Sequence, residues 1–303
     1  MLEQLQLAKY SFKLVFSGKD KLPAYSALGL RGLLGHQLQK VVCPLTVRQR
    51  DSCKTCFIRR HCPYFNLYEQ QCDIRGRKEA PKGYILYCPP HPRGNEVEVE
   101  VTLMGRSNVF FSALFAAIKQ AEKTGLGLRR ERRRQYRVSV VSRHFPGGSE
   151  LLKDQREEST PPPFPVCQWL DQAQSAEKAY FVTPVRLTKK RESVLNWNLL
   201  YTNLARRLES LNMVYGSGAG FGRDNWLELR ALMQDWPAPS ARLHWVQLHR
   251  YSARQDQKIP LGGFIGQVDL SRLRPEQQIW WHLASLLHVG RGTVMGLGRI
   301  ELS

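Results

Sequence analysis

The chain has 303 residues, 42% of them hydrophobic, and a formal net charge of +19. That length is comfortable for two compact units, and so large a positive charge points to a polyanionic partner, since it is otherwise tolerated only as self-repulsion. No stretch approaches the length needed to cross a bilayer, and the opening "MLEQLQLAKYSFKLVF" lacks a signal-peptide apolar block, so a cytoplasmic protein without membrane partners is expected.

Residues 5 to 16 alternate as a strand, and residues 24 to 42, "AYSALGLRGLLGHQLQKVV", follow the helical period despite three glycines. Stepping by four through that helix puts Gly32, His36 and Lys40 in one row, while Leu30, Leu34 and Leu38 form another about 160° away. His36 therefore points away from the apolar face, and Gly29, Gly32 and Gly35 leave room beside it for the backbone of a ligand. Imidazole suits proton transfer near neutrality, although a surface histidine without a task fits the same pattern.

Cys43, Cys53, Cys56 and Cys62 follow, with nine, two and five residues between successive members. Four thiolates so close can close a tetrahedral site, and a zinc bound by four sulfurs would staple the insertion, about 43–72, without doing chemistry. An iron–sulfur cluster or free thiols fit the same residues. His61 is a substitute ligand, and Cys72, Cys88 and Cys167 read as free thiols. Seven cysteines with no export signal argue against a disulfide framework.

Next come strands at "GYILYC" and "NEVEVEVTLMG", a helix at "SNVFFSALFAAIKQAEK" and a strand at "YRVSVVSR". The order is β-α-β-β-α-β. Before the last strand, "GLGLRRERRRQYR" carries Arg129, Arg130, Arg132, Arg133, Arg134 and Arg137, either a clamp for phosphates or a solvated charge run. Residues 144–178, including "STPPPFP", interrupt all periodicity and read as a linker between units at 1–143 and 179–303.

The second unit repeats the plan with a strand at "AYFVTPVRL", a helix at "SVLNWNLLYTNLARRLESLNMVYG" and strands at "RLHWVQLHRYS" and "GGFIGQVDL". A helix, "PEQQIWWHLASLLHV", and a strand, "TVMGLGRIEL", close it. Two tandem ferredoxin-like units of the α+β class follow. In "HRYSARQ" the period of a strand places Arg250, Ser252 and Arg254 on one face, which fits an RNA-touching edge or a strand-end salt-bridge pattern. The loop "HVGRGTVMGLGRIEL" has Gly290, Gly292, Gly296 and Gly298 between a helix and a strand. That order is the reverse of a nucleotide-binding glycine turn and leaves two readings: loop amides holding an extended polyanion, or a structural turn.

Four stretches together carry a resemblance. They are "LGLRGLLGHQL" with the cysteine cluster and "CPYFNLYE", then "TPVRL", "RYSARQ…LGGFIGQV" and the terminal "HVGRGTVMGLGRIEL". The chain resembles the CRISPR-associated precursor-RNA processing endoribonucleases of the RAMP superfamily, the sixth-numbered Cas protein. The cysteine cluster is similar to that of one large branch.

The resemblance implies tandem ferredoxin-like folds, binding of CRISPR repeat RNA and one cut per repeat that releases guide RNAs, with other Cas effector subunits as further partners. It implies a reaction without catalytic metal, in which the ribose 2′-hydroxyl attacks the scissile phosphate and leaves a 2′,3′-cyclic phosphate. His36 matches the family's base or acid, Lys40 would stabilise phosphorane charge and Tyr25, at the helix start, would orient the hydroxyl. Arg250 and Arg254 stand in reserve, as some members lack the histidine. The glycine loop would grip RNA through its amides, helped by Arg291 and Arg299, while some of its glycines serve a turn packed between the units. A non-catalytic RAMP-fold subunit that coats guide RNA is the alternative.

Overall fold

The computed structural model describes residues 1–18, 21–45, 53–70, 81–127, 133–152, 160–188, 190–252 and 257–303. The first unit runs β1 (Gln6–Phe16), α1 (Ser26–Val42), β2 (Tyr84–Tyr87), β3 (Glu96–Met104), α2 (Phe111–Ala121) and β4 (Tyr136–Phe145). Its strands lie antiparallel in the order β2-β3-β1-β4, extended at the edge by β5 (Gly148–Leu151). Alternation in β1 sends Tyr10, Phe12 and Leu14 into the core under α1 and α2, where Tyr10 stacks on Phe111 at 3.9 Å.

The second unit runs β7 (Lys178–Val185), α4 (Trp197–Tyr215), β8 (Ala241–Val246), β11 (Gly263–Asp269), α6 (Pro275–Leu287) and β12 (Ile300–Leu302), in the sheet order β12-β7-β11-β8. Both units thus share one strand order, and the chain is a tandem of ferredoxin-like folds. Asn196 caps α4 by accepting from the Leu199 amide at 2.9 Å, and Pro275 opens α6, where its missing N–H costs nothing. Inside, the Trp281 indole donates to the Tyr201 hydroxyl at 3.1 Å.

Four expectations change. Residues 144–178 are not a bare linker: beyond β5 they hold β6 (Phe164–Pro165), which pairs with β1, and α3 (Val166–Asp171), whose Val166 is fully buried. The prolines are pinned to the first sheet, as Asn108 donates to the Pro161 carbonyl and Arg143 to that of Pro162. The second unit gains α5 (Arg223–Gln234), a polar helix with Met233 as its buried residue. The strand expected over "RLHWVQLHRYS" breaks after Val246, and β9 (His249–Ser252) leaves to form a separate hairpin with β10 (Gln257–Pro260). The last strand begins only at Ile300, because Thr293–Met295 form a short 3-10 turn.

The two units are stitched together where the glycine loop meets α1 and β2. Met295, Leu297 and Leu261 form a small core with Tyr25 and Leu28 of α1 and with Leu248 and Ile259 at the base of the β9–β10 hairpin. Nearby, the Glu100 carboxylate of the first sheet takes Lys9 at 2.7 Å and Arg299 of the second unit at 3.2 Å.

Candidate active site

Helix α1 carries the site because its two sides differ in kind. Leu30, Leu34 and Leu38 are buried in the first core, whereas Gly32, His36 and Lys40 are exposed, as the helical period requires. Of the three glycines beside His36, only Gly32 faces open space. A side chain at Gly29 would meet Leu126, and one at Gly35 would meet the Tyr68 ring at 2.6 Å, so Gly35 serves packing and not a ligand. Tyr68 lies flat against Tyr64 and donates its hydroxyl to the Arg31 carbonyl of α1.

Tyr25 stands at the N-cap of α1, ahead of His36. Eleven residues, about 16 Å of helix axis, separate their backbones. The half-buried ring packs in the inter-unit core and meets His91 edge-on at 5.8 Å, and burial raises its hydroxyl pKa. Lys40, one turn beyond His36 on the same side, is placed where the pattern puts it.

The four glycines of the terminal loop sit where the chain packs closely. Gly290, Gly292, Gly296 and Gly298 all have φ between 73° and 81°, a region that glycine enters without strain. Added Cβ atoms would meet the Arg186 carbonyl, Leu297, the Leu86 carbonyl and the Val289 carbonyl respectively. The glycines therefore let the chain pack on itself. The amides of Val289, Arg291, Met295, Gly296, Leu297 and Gly298 donate to backbone carbonyls, and that of Arg299 donates to Thr183 Oγ1. Those donors are not available to an RNA backbone. His288, which precedes the loop, is fully buried and bonds the Leu297 carbonyl through Nδ1 at 3.1 Å.

The arginines divide. Arg134 is buried and donates to the carbonyls of Ser17 and Gly18 and to Asn95 Oδ1, so it closes a turn of the first unit and is no phosphate clamp. Arg299 is spent on Glu100 and lies 4.7 Å from the centre of the Tyr87 ring, which makes it an inter-unit tie. Arg133, Arg137 and Arg291 are exposed cations, and Arg250 is half-buried on β9. Arg129, Arg130, Arg132 and Arg254 lie outside the described residues, as does Cys72.

Cys43, Cys53, Cys56 and Cys62 line a single pocket with Tyr64 and Phe65. Burial pushes the Cys53 thiol up, and Glu69 and the three other thiols add to that through their charge. The donors of a four-sulfur site are gathered, but among the described residues no three His, Cys, Asp or Glu side chains stand in ligating geometry. Cys88 is buried instead in the first core, where desolvation raises its pKa to about 12.

Residues 180–300 match the family model of the CRISPR-associated endoribonuclease Cas6, and residues 5–164 match a second model, an N-terminal domain named AF_1859_N. Residues 180–300, the second unit, belong to the Cas6 family. Among solved structures, a Thermus thermophilus Cas6 is 18% identical, with 99% of each chain covered and a TM-score of 0.54. A product complex of the same protein gives 0.55 at 18% identity, over 99% of this chain and all of that one. A partial Cas6-RT-Cas1–Cas2 complex gives 0.57 at 14% identity over the whole of this chain and 47% of that one. At such identities the likeness is one of fold. No curated protein matches the sequence.

Within this Cas6 fold the sequence reading missed Arg31, His91 and His288. Arg31 sits in the same helix as His36 but shows no pattern of its own, and His91 follows β2 in a loop with φ of 50°. His288 looked like the end of a helix, because its burial depends on a second unit folding over it. No helix among the described residues is long and apolar enough to cross a membrane.

Proposed function

We propose that this chain binds CRISPR repeat RNA and cuts each repeat once by attack of a ribose 2′-hydroxyl, with His36 as the proton-transfer group. The exposed His36, beside the open Gly32 and on the side of α1 that bears Lys40, is the observation that carries the reading. At Gly32 that side of the helix has open space for an approaching strand. His36 would take or give the proton at the sugar oxygen, and the Lys40 ammonium would offset charge on the crowded phosphorane. Such a reaction leaves a 2′,3′-cyclic phosphate and a 5′-hydroxyl and requires no metal at the scissile phosphate. The family membership and the net charge of +19 support an RNA substrate.

The test is cleavage of repeat RNA in EDTA by wild-type and His36→Ala protein, with the product ends analysed. Wild type is expected to cut in chelator and to leave the cyclic phosphate. The variant is expected to lose about 10²–10⁴ in rate while still binding RNA. Undiminished cleavage by the variant removes His36 from the site, and binding without cleavage by either protein points to an RNA-coating subunit.

The four cysteines support a second, structural element of the same reading. Soft thiolate donors gathered on one pocket suit zinc, which would draw Cys43, Cys53, Cys56 and Cys62 together and fix the chain that follows α1. The cluster lies past the Lys40 end of the helix and would hold structure only.

A further inference from the structure

Two arginines from different units flank the seam where α1 meets the β9–β10 hairpin: Leu28, one turn before Arg31, packs with Leu248 and Ile259, and Ile259 pairs with Arg250. Arg31 of α1 lies 5.4 Å from the centre of the Tyr68 ring, and Arg250 comes from β9. The Nε atom of each is sealed from solvent and has no hydrogen-bond partner. Burial and then the positive charge of Arg31 both weaken the hold of Arg250 on its proton. Ion pairs among the described residues are made by Lys9, Lys13, Lys119, Arg143 and Arg299, and none reaches Arg31 or Arg250.

Two like charges at one seam, each with an unpartnered Nε and neither in an ion pair among the described residues, repel, and an anion between them turns that repulsion into two attractions. Guanidinium groups present flat, forked donors that match phosphate oxygens. We propose that Arg31 and Arg250 form a two-armed phosphate site, one arm from each unit, that grips a backbone phosphate of bound RNA. RNA as the occupant rests on the ribonuclease reading; the phosphate site itself does not. His36 stands five residues further on, about 7.5 Å along the helix axis, so the fork holds substrate and leaves proton transfer to another group.

Thermal unfolding against inorganic phosphate, at constant ionic strength, tests the fork without RNA. Wild-type Tm is expected to rise with phosphate, and Arg31→Gln and Arg250→Gln proteins are expected to show no rise. Without phosphate the Arg250→Gln protein should be at least as stable as wild type, because a repulsion has been removed and Arg31 keeps its contact with Tyr68. Arg230→Gln, on the exposed face of α5, should keep the wild-type response. With repeat RNA bearing 2′-deoxyribose at the cut, each variant is expected to bind about tenfold more weakly, with a log–log salt slope shallower by about 0.7. In cleavage, KM should rise while kcat holds. A phosphate response that survives both substitutions, or a fall in phosphate-free Tm for Arg250→Gln, overturns the fork. A lost phosphate response with unchanged RNA affinity overturns the RNA assignment alone, and absence of cleavage by wild type leaves the phosphate result standing.

Discussion

His288 shows how much a single side chain can hold. It follows α6 at φ of 55°, a conformation unusual outside glycine, and its ring is buried against Tyr87 with Nδ1 bonded to the Leu297 carbonyl. That bond needs a proton on Nδ1, so the neutral ring donates. Burial and then the charge of Arg299 push its pKa well below the ordinary histidine value, against the pull of the Leu297 bond. In the unfolded chain the same ring titrates near ~6.5. Its contribution is therefore complete above that pH and is lost as pH falls below it, because the unfolded state takes up the proton first. A His288→Gln protein is expected to lose about 1–3 kcal/mol at pH 8 and to show a flatter decline of Tm between pH ~6.5 and ~5 than wild type. Denaturant unfolding at several pH values reads both. His36 was legible because its row and the leucine row fall on opposite sides of one helix; His288 was not, since a local pattern says nothing of what a distant segment will cover.

Among the elements, α1 and the glycine loop exchange the weights the sequence suggests for them. The helix keeps the exposed side that the period assigns to it. The loop, rich in glycine and arginine, reads as a cradle and folds as a joint. Gly298 shows why: its Cβ would fall 1.9 Å from the Val289 carbonyl, a contact internal to the loop that spacing alone does not reveal. The cysteine insertion is legible by residue type, because thiols in such density have few uses, yet its closure depends on loops brought together after α1. Zinc chelation is expected to lower Tm and loosen the segment from Cys43 to Cys62, with protease nicking there. The rate constant of repeat cleavage by protein that stays folded should be unchanged. A Tm indifferent to chelator and to added zinc would show the thiols to be free.

At the scale of the whole molecule, the two units are joined by packing and by charge. Glu100 is drawn up by burial, but Lys9 and then Arg299 more than offset this and hold its carboxyl below the usual range. The tie is therefore intact above the ordinary carboxylate pKa and fails as pH drops through the lowered folded value. Glu100→Gln leaves Lys9 without its partner and Arg299 with Glu301 alone, and is expected to cost about 1–3 kcal/mol. Its Tm at pH 7 should fall by several degrees, whereas near pH 3 the gap to wild type should narrow. An equal gap at both pH values would show that the carboxylate is not the tie. The strong positive charge that remains is left for a polyanion, which is the physical basis for expecting RNA affinity to fall steeply with salt.

The sequence by itself determined the two β-α-β-β-α-β units, the exposed row of α1, the gathering of thiols and the sign of the partner. Each of these follows from periodicity, residue chemistry or net charge, which act over short stretches or need no geometry. Only the tertiary structure decided that Arg134 and Arg299 are structural, that the glycine loop joins the units, and that Arg31 and Arg250 flank one seam. Those outcomes turn on which donors and charges find partners far along the chain, and partners are settled only when the two units pack.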